Sequence, residues 1–157
     1  MSKNNEFELQ KPLHKRKDAV LFDLDGTLAE TMTFAKHHKD RHEPFAREAL
    51  EVDARPKLVD KLKKLREDGD AVVILTARSE DYRSETKKWL HENHIPYDAL
   101  VMRPKSDTTE PDKKVKKELL EEDILPKFDI KKAYDDKKKN VKMFEKLGID
   151  AKHVKKK

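Results

Sequence analysis

Two aspartates separated by one residue, Asp23 and Asp25, close an apolar run of strand type, Ala19 to Phe22. Gly26 follows at once and gives the chain freedom to turn just past the second acid. That layout lets one carboxylate attack while the other moves a proton, with room for a hard cation between them. With phosphorus as the electrophile, Asp23 is the candidate nucleophile, forming an aspartyl-phosphate that water later hydrolyses. Asp25 gives a proton to the leaving oxygen and then takes one from the water. Carboxylate and phosphate repel each other, so this chemistry calls for a divalent cation with oxygen ligands, expected to be Mg2+. Asp135 and Asp136 supply further acids, since adjacent carboxylates crowd unless a cation neutralises them. Thr27 and Thr76 offer hydroxyls to a phosphoryl group, and Arg78 and Arg103 offer planar forks.

These residues recur at places where strands should end. AVVILT, 71–76, is a continuous apolar run, as in a strand buried on both faces. DALVM, 98–102, and FDIKKAYDD, 128–136, read as further strands, with a short last one over 151–154. Between them lie segments of helical period. Pro56 opens one carrying Leu58, Val59, Leu62 and Leu65, stopped by Gly69. Ser79 with Glu80 and Asp81 opens a second, carrying Tyr82, Trp89 and Leu90 as core residues. Residues 112–124 turn Val115, Leu119 and Leu120 inward, and a last helix carries Val141, Phe144 and Leu147 up to Gly148. Alternation of this kind predicts an α/β fold, a Rossmann-like parallel sheet with helices on both faces. In such a sheet, residues past the carboxyl ends of the strands meet at one edge, where ligands bind.

The expected organisation is a basic N-terminal arm (1–17), one catalytic domain (18–154) and a basic tail (155–157). Residues 28–54, rich in His and charge and without clear period, read as a small flap or cap inserted after the first strand. His37, His38, His42, His91 and His94 lack a Cys or Glu at ligand spacing and read as surface residues. Of 157 residues 44% are charged and 35% hydrophobic, which suits a solvated domain with a thin core. The net charge of +5 favours anionic partners, and the lysine runs 137–139 and 155–157 would add pull on a phosphate backbone. The chain has no Cys, which excludes disulfides and thiolate metal sites. No apolar run is long enough for a bilayer and no leader is evident, so a cytoplasmic protein without membrane partners is expected.

DLDGT, LTAR and YDD resemble three motifs of the haloacid dehalogenase (HAD) superfamily, mostly phosphatases. The resemblance covers nearly the whole chain. It implies the nucleophile and acid/base at Asp23 and Asp25, a phosphate-binding hydroxyl at Thr76 and metal acids at Asp135 and Asp136. It also implies a metal contact from the Asp25 backbone carbonyl, and a lysine that steadies nucleophile and phosphate. Lys113, Lys114, Lys116 and Lys117 are all candidates for that lysine. A narrower resemblance chooses among them: LVMR, DKKVKKELL and the stretch from FDIKKAYDD to the Gly-Ile pair are similar to the 3′-phosphatase domain of bacteriophage polynucleotide kinases. Matching Asp112, Val115 and Glu118 to it assigns Lys116. Arg41, Pro44, Phe45 and Asp53 look like that family's short flap; the basic residue expected near Thr108 or Thr109 is missing.

This likeness implies removal of 3′-phosphates from DNA or RNA ends, beside a separate kinase or ligase, in the host cytoplasm if the chain is phage-encoded. No P-loop is present, because Gly26, Gly69 and Gly148 are followed by Thr, Asp and Ile, so 5′ phosphorylation is not expected of this chain. Two other readings stand beside it: a nucleotidase acting on free nucleotides, and a non-catalytic module that binds phosphorylated ends.

Overall fold

The structure is a computed structural model and describes residues 16–30, 51–105 and 109–155. Five strands, β1 (Lys17–Asp23), β2 (Ala71–Ser79), β3 (Ala99–Arg103), β4 (Phe128–Asp135) and β5 (Asp150–His153), form one parallel sheet in the order β3-β2-β1-β4-β5. The apolar runs explain the centre. Val20, Leu21, Phe22 and Val72 to Leu75 are all buried, as strands covered on both sides require.

Alternation along β1 divides the core in two. Ala19 and Leu21 join Val73, Leu75 and Ala133 under α3 (Asp112–Leu119) and α4 (Lys138–Lys146). Val20 and Phe22 join Val72 and Ile74 under α1 (Pro56–Glu67) and α2 (Arg83–Glu92), with Val59, Leu62, Trp89 and Leu90 from those helices. The fold is therefore the doubly covered α/β sheet expected of a HAD phosphatase.

The elements match their sequence signals with local differences, among them β2, which runs on to Ser79 beyond the apolar run 71–76. Ser79 caps as expected, its Oγ accepting from the Asp81 amide at 3.0 Å, but a 3-10 turn (Glu80–Tyr82) precedes α2. The single helix read over 112–124 is α3 followed by one wide π turn, Leu120–Ile124, which buries Leu120 and Ile124 together. The ends of the flap are described, and they pair: Ala29 bridges Ala54, the Glu30 amide donates to Asp53 O (3.0 Å) and the Arg55 amide to Leu28 O (2.8 Å). The N-terminal arm up to residue 15, the flap from 31 to 50 with His37, His38, Arg41, His42, Pro44 and Phe45, residues 106–108 with Thr108, and residues 156–157 lie outside the described residues. Among the described residues no helix is long and apolar enough to cross a membrane.

Candidate active site

One stacked ring pair brings the two acid motifs together. Phe22 and Tyr134 are register partners in β1 and β4, and their rings stack with centroids 4.6 Å apart on the α1/α2 side. Each precedes an acid, so Asp23 and Asp135 emerge side by side toward α3. Asp23, Asp135 and Asp136 each place a carboxylate oxygen within 4.8 Å of the others. Asp23 and Asp135 are buried.

Lys116 answers them from α3. It shares the inward face of that helix with Val115 and Leu119 and is 3% exposed, while Lys113, Lys114 and Lys117 point to solvent. Its Nζ donates to Asp23 Oδ1 at 2.7 Å and to Asp135 Oδ2 at 2.8 Å. Burial works against the ammonium, but the two carboxylates outweigh it and hold the Lys116 pKa above its ordinary value. Asp23 is pushed well above the usual carboxylate range, first by burial and then by Asp135. Lys116 pulls it down and Asp136 raises it again. Three carboxylates face one ammonium here, so the cluster lacks positive charge.

The two members of the second acid pair differ. Asp135 is hydrogen-bonded at both oxygens: Oδ1 accepts from the Lys137 amide (2.9 Å) and Asn140 Nδ2 (3.2 Å), and Oδ2 from Lys116 and Asn140 (3.1 Å). Asp136 Oδ1 is buried without a hydrogen-bond partner. Asp136 lies against Gly26, whose φ of +89° is in the left-handed region and whose Cα is so near that a methyl would collide with the carboxylate. Three converging carboxylates, one with an orphaned oxygen, fit the donor set of a hard divalent cation.

Thr27 is fully buried beneath Asp23, its Oγ1 donating to Asp23 Oδ2 at 3.0 Å. Asp25 turns away from the cluster and pairs with Arg78, Nη2 to Oδ1 at 2.6 Å and Nε to Oδ2 at 3.0 Å. Arg78 Nη1 also donates to Thr86 Oγ1 on α2 (3.1 Å), and the Arg78 amide donates to Thr76 Oγ1 (3.1 Å). The β2 motif thus sits beside the β1 motif, one guanidinium away. Arg103 is placed as a strut: it donates to Ala77 O (2.9 Å), Glu110 O (2.8 Å) and Asp112 Oδ1 (2.9 Å). Lys137 Nζ closes on the other oxygen of Asp112 at 2.9 Å.

Sequence reasoning missed Asn140 and Thr86. Asn140 sits on the buried face of α4 beside Val141 and Phe144, and a polar residue at that inward position was its available signal. A cavity of about 420 Å3 with Lys87, Lys88, His91 and Tyr97 in its lining lies along α2, not over the carboxylates.

The family comparison agrees with this geometry. Residues 17–157 match the family model described as the polynucleotide kinase PNKP phosphatase domain. A chain in a structure described as the Pnkp1/Rnl/Hen1 RNA repair complex is 30% identical with a TM-score of 0.78, over 90% of this chain and 43% of that one. A second Pnkp1/Rnl/Hen1 complex gives 29% identity and a TM-score of 0.77, over 90% and 47%. The chain thus spans a little under half the length of these relatives. A class C acid phosphatase from Bacillus anthracis with tungstate bound shares the fold at 18% identity and a TM-score of 0.57, over 92% and 68%. With its lysine and acid motifs on one edge of a HAD sheet, the chain belongs to the PNKP phosphatase-domain family of the HAD superfamily.

Proposed function

We propose that this chain is a Mg2+-dependent phosphomonoesterase that removes 3′-phosphates from nucleic acid ends. The observation that carries the reading is the buried junction of Asp23, Lys116, Asp135 and Asp136 in a member of this family. Asp23, Asp135, Asp136 and the Asp25 main-chain carbonyl would hold the cation, which when bound offsets the repulsion between phosphate and carboxylates.

Lys116 and Thr27 fix the two oxygens of Asp23, so the nucleophile needs no reorganisation before attack. An Asp23 oxygen bonds to phosphorus as the bond from phosphorus to the 3′ oxygen breaks, and Asp25 gives that oxygen its proton. Water then attacks the phosphorus and passes a proton to Asp25. The bond to Asp23 breaks and inorganic phosphate leaves. A phosphate beside Arg78 competes with Asp25 for the guanidinium, so substrate binding frees the acid to turn inward. Thr76 stands beside this pair and is assigned to the phosphoryl oxygens, with Arg103 supporting the wall.

The polymer end is favoured over a free nucleotide by the family's description and by the RNA repair assembly of the 30% identical relative, which also supports a partner enzyme. The test is phosphate release from a 3′-phosphorylated oligonucleotide, its 5′ counterpart and a 3′-mononucleotide, with Mg2+ or EDTA. Fast Mg2+-dependent release from the 3′ oligonucleotide alone is expected. Equal release from the mononucleotide would make it a nucleotidase, and binding of ends without release from any substrate would make it a binding module.

A further inference from the structure

We infer that Arg55 is a positioning residue for the acid cluster, acting through the main-chain carbonyl of Gly26. Arg55 closes the flap stem, and its two described hydrogen bonds go to main-chain carbonyls. Its Nη1 donates to Gly26 O at 2.9 Å and its Nη2 to Lys155 O at 2.9 Å. Gly26 is held on both sides, because its amide donates to Ala29 O at 2.7 Å. The Asp136 carboxylate packs directly on Gly26, so the position of that glycine sets how near Asp136 comes to the β1 loop.

The other arm of Arg55 reaches the segment that holds the acid pair by its backbone. The Val154 amide donates to Asp135 O at 2.8 Å, and His153 Nε2 lies 3.0 Å from Asp136 O. Residues 153 and 154 thus grip the main chain of Asp135 and Asp136, and Lys155 follows them directly. Arg55 ties that grip to the glycine on the far side of the cluster. One planar fork bridging two fixed carbonyls defines a distance in a way a flexible lysine does not. The separation of nucleophile loop and acid pair is set by this brace, whose C-terminal contact is a carbonyl and not a lysine charge.

The inference rests on the proposed cation site, and its test reads cation binding directly. Mn2+ binding to the full chain would be titrated by the EPR signal of free Mn2+, with thermal midpoints and 3′-phosphate release beside it. Arg55→Ala is expected to weaken Mn2+ binding about tenfold or more, as loss of an outer-shell partner does. Arg55→Lys, which keeps the charge and spans one carbonyl at a time, should recover part of the loss. Lys155→Ala should bind Mn2+ like the wild type, since only its carbonyl is used. Arg55→Ala with a lowered midpoint but unchanged Mn2+ binding would leave it a structural residue and overturn the inference. So would Lys155→Ala weakening Mn2+ as much as Arg55→Ala. A wild-type chain that binds no Mn2+ would overturn the cation site itself, and the inference with it.

Discussion

The acid pairs ending β1 and β4 use the same residue type at neighbouring strand ends, yet their members have gone separate ways. At β1 the intervening Leu24 and the turn at Gly26 part the pair: Asp23 goes in to Lys116 and Thr27, and Asp25 goes out to Arg78. At β4 the acids are adjacent, and the division is one of hydrogen bonding. Asp135 is held by Lys116, Asn140 and the Lys137 amide, while Asp136 keeps a buried oxygen without a partner. Partners, and not residue type, set these four carboxylates apart.

The sharpest way to break that division is to neutralise one acid from each end. Asp23→Asn should lower phosphate release by at least about a thousandfold at any Mg2+ concentration. Asp136→Asn should instead raise the Mg2+ needed for half-maximal rate by more than about a hundredfold, with turnover recovered as Mg2+ is added. Two variants with the same Mg2+ profile would erase the distinction.

A smaller effect tests the shared cation. Lys116→Ala leaves Asp23 and Asp135 without their ammonium and should cost about 3 kcal/mol in denaturant unfolding without divalent metal. Lys117→Ala, on the exposed face, should stay within about 0.5 kcal/mol. Equal values would place the functional lysine elsewhere.

The smallest effect is expected at the opposite edge of the sheet, where an acid serves the fold alone. Burial would raise the Asp98 pKa, but the Val72 amide and Arg66 outweigh it and hold the carboxyl below its ordinary value. A depressed acid stabilises the fold above its unfolded pKa of about 3.9 and loses that contribution as the pH falls through the folded value. The thermal midpoint of the wild type should therefore fall more steeply below about pH 4 than that of Asp98→Asn. Parallel curves would deny Asp98 this role.

Much of the fold was legible because each strand and helix has its own local signal. The unbroken apolar runs mark β1 and β2, and the spacing of Val115 and Leu119 marks α3. Lys116 was also readable in principle, since it lies four residues before Leu120 and shares the buried side with Val115. Lysine on an inward face is so costly alone that the pattern becomes informative only once two carboxylates are known to stand opposite. Arg55 and Thr86 were not readable as site residues, and Asn140 was marked only as a polar residue at an inward helical position. Arg55 binds distant carbonyls, Thr86 a guanidinium on another element, and Asn140 a carboxylate at the end of a strand. Which backbone oxygen a side chain meets across the molecule leaves no periodic trace. The wide turn at Leu120–Ile124 is silent for the same reason, being imposed by where its apolar residues must land.

The paired legs of the flap stem have an evolutionary consequence. Leu28 to Glu30 and Asp53 to Arg55 are joined by backbone bonds, and Trp89 Nε1 fastens the return leg at Val52 O (3.0 Å). Chain entering and leaving such a clasp can lengthen cheaply, since doubling a loop costs only about 0.6 kcal/mol. β1 has no such freedom, because inserting one residue before Asp23 would send its carboxylate to the other face of the sheet. Changes of length can therefore accumulate between the legs, while the strand edge that carries the acids keeps its residue count.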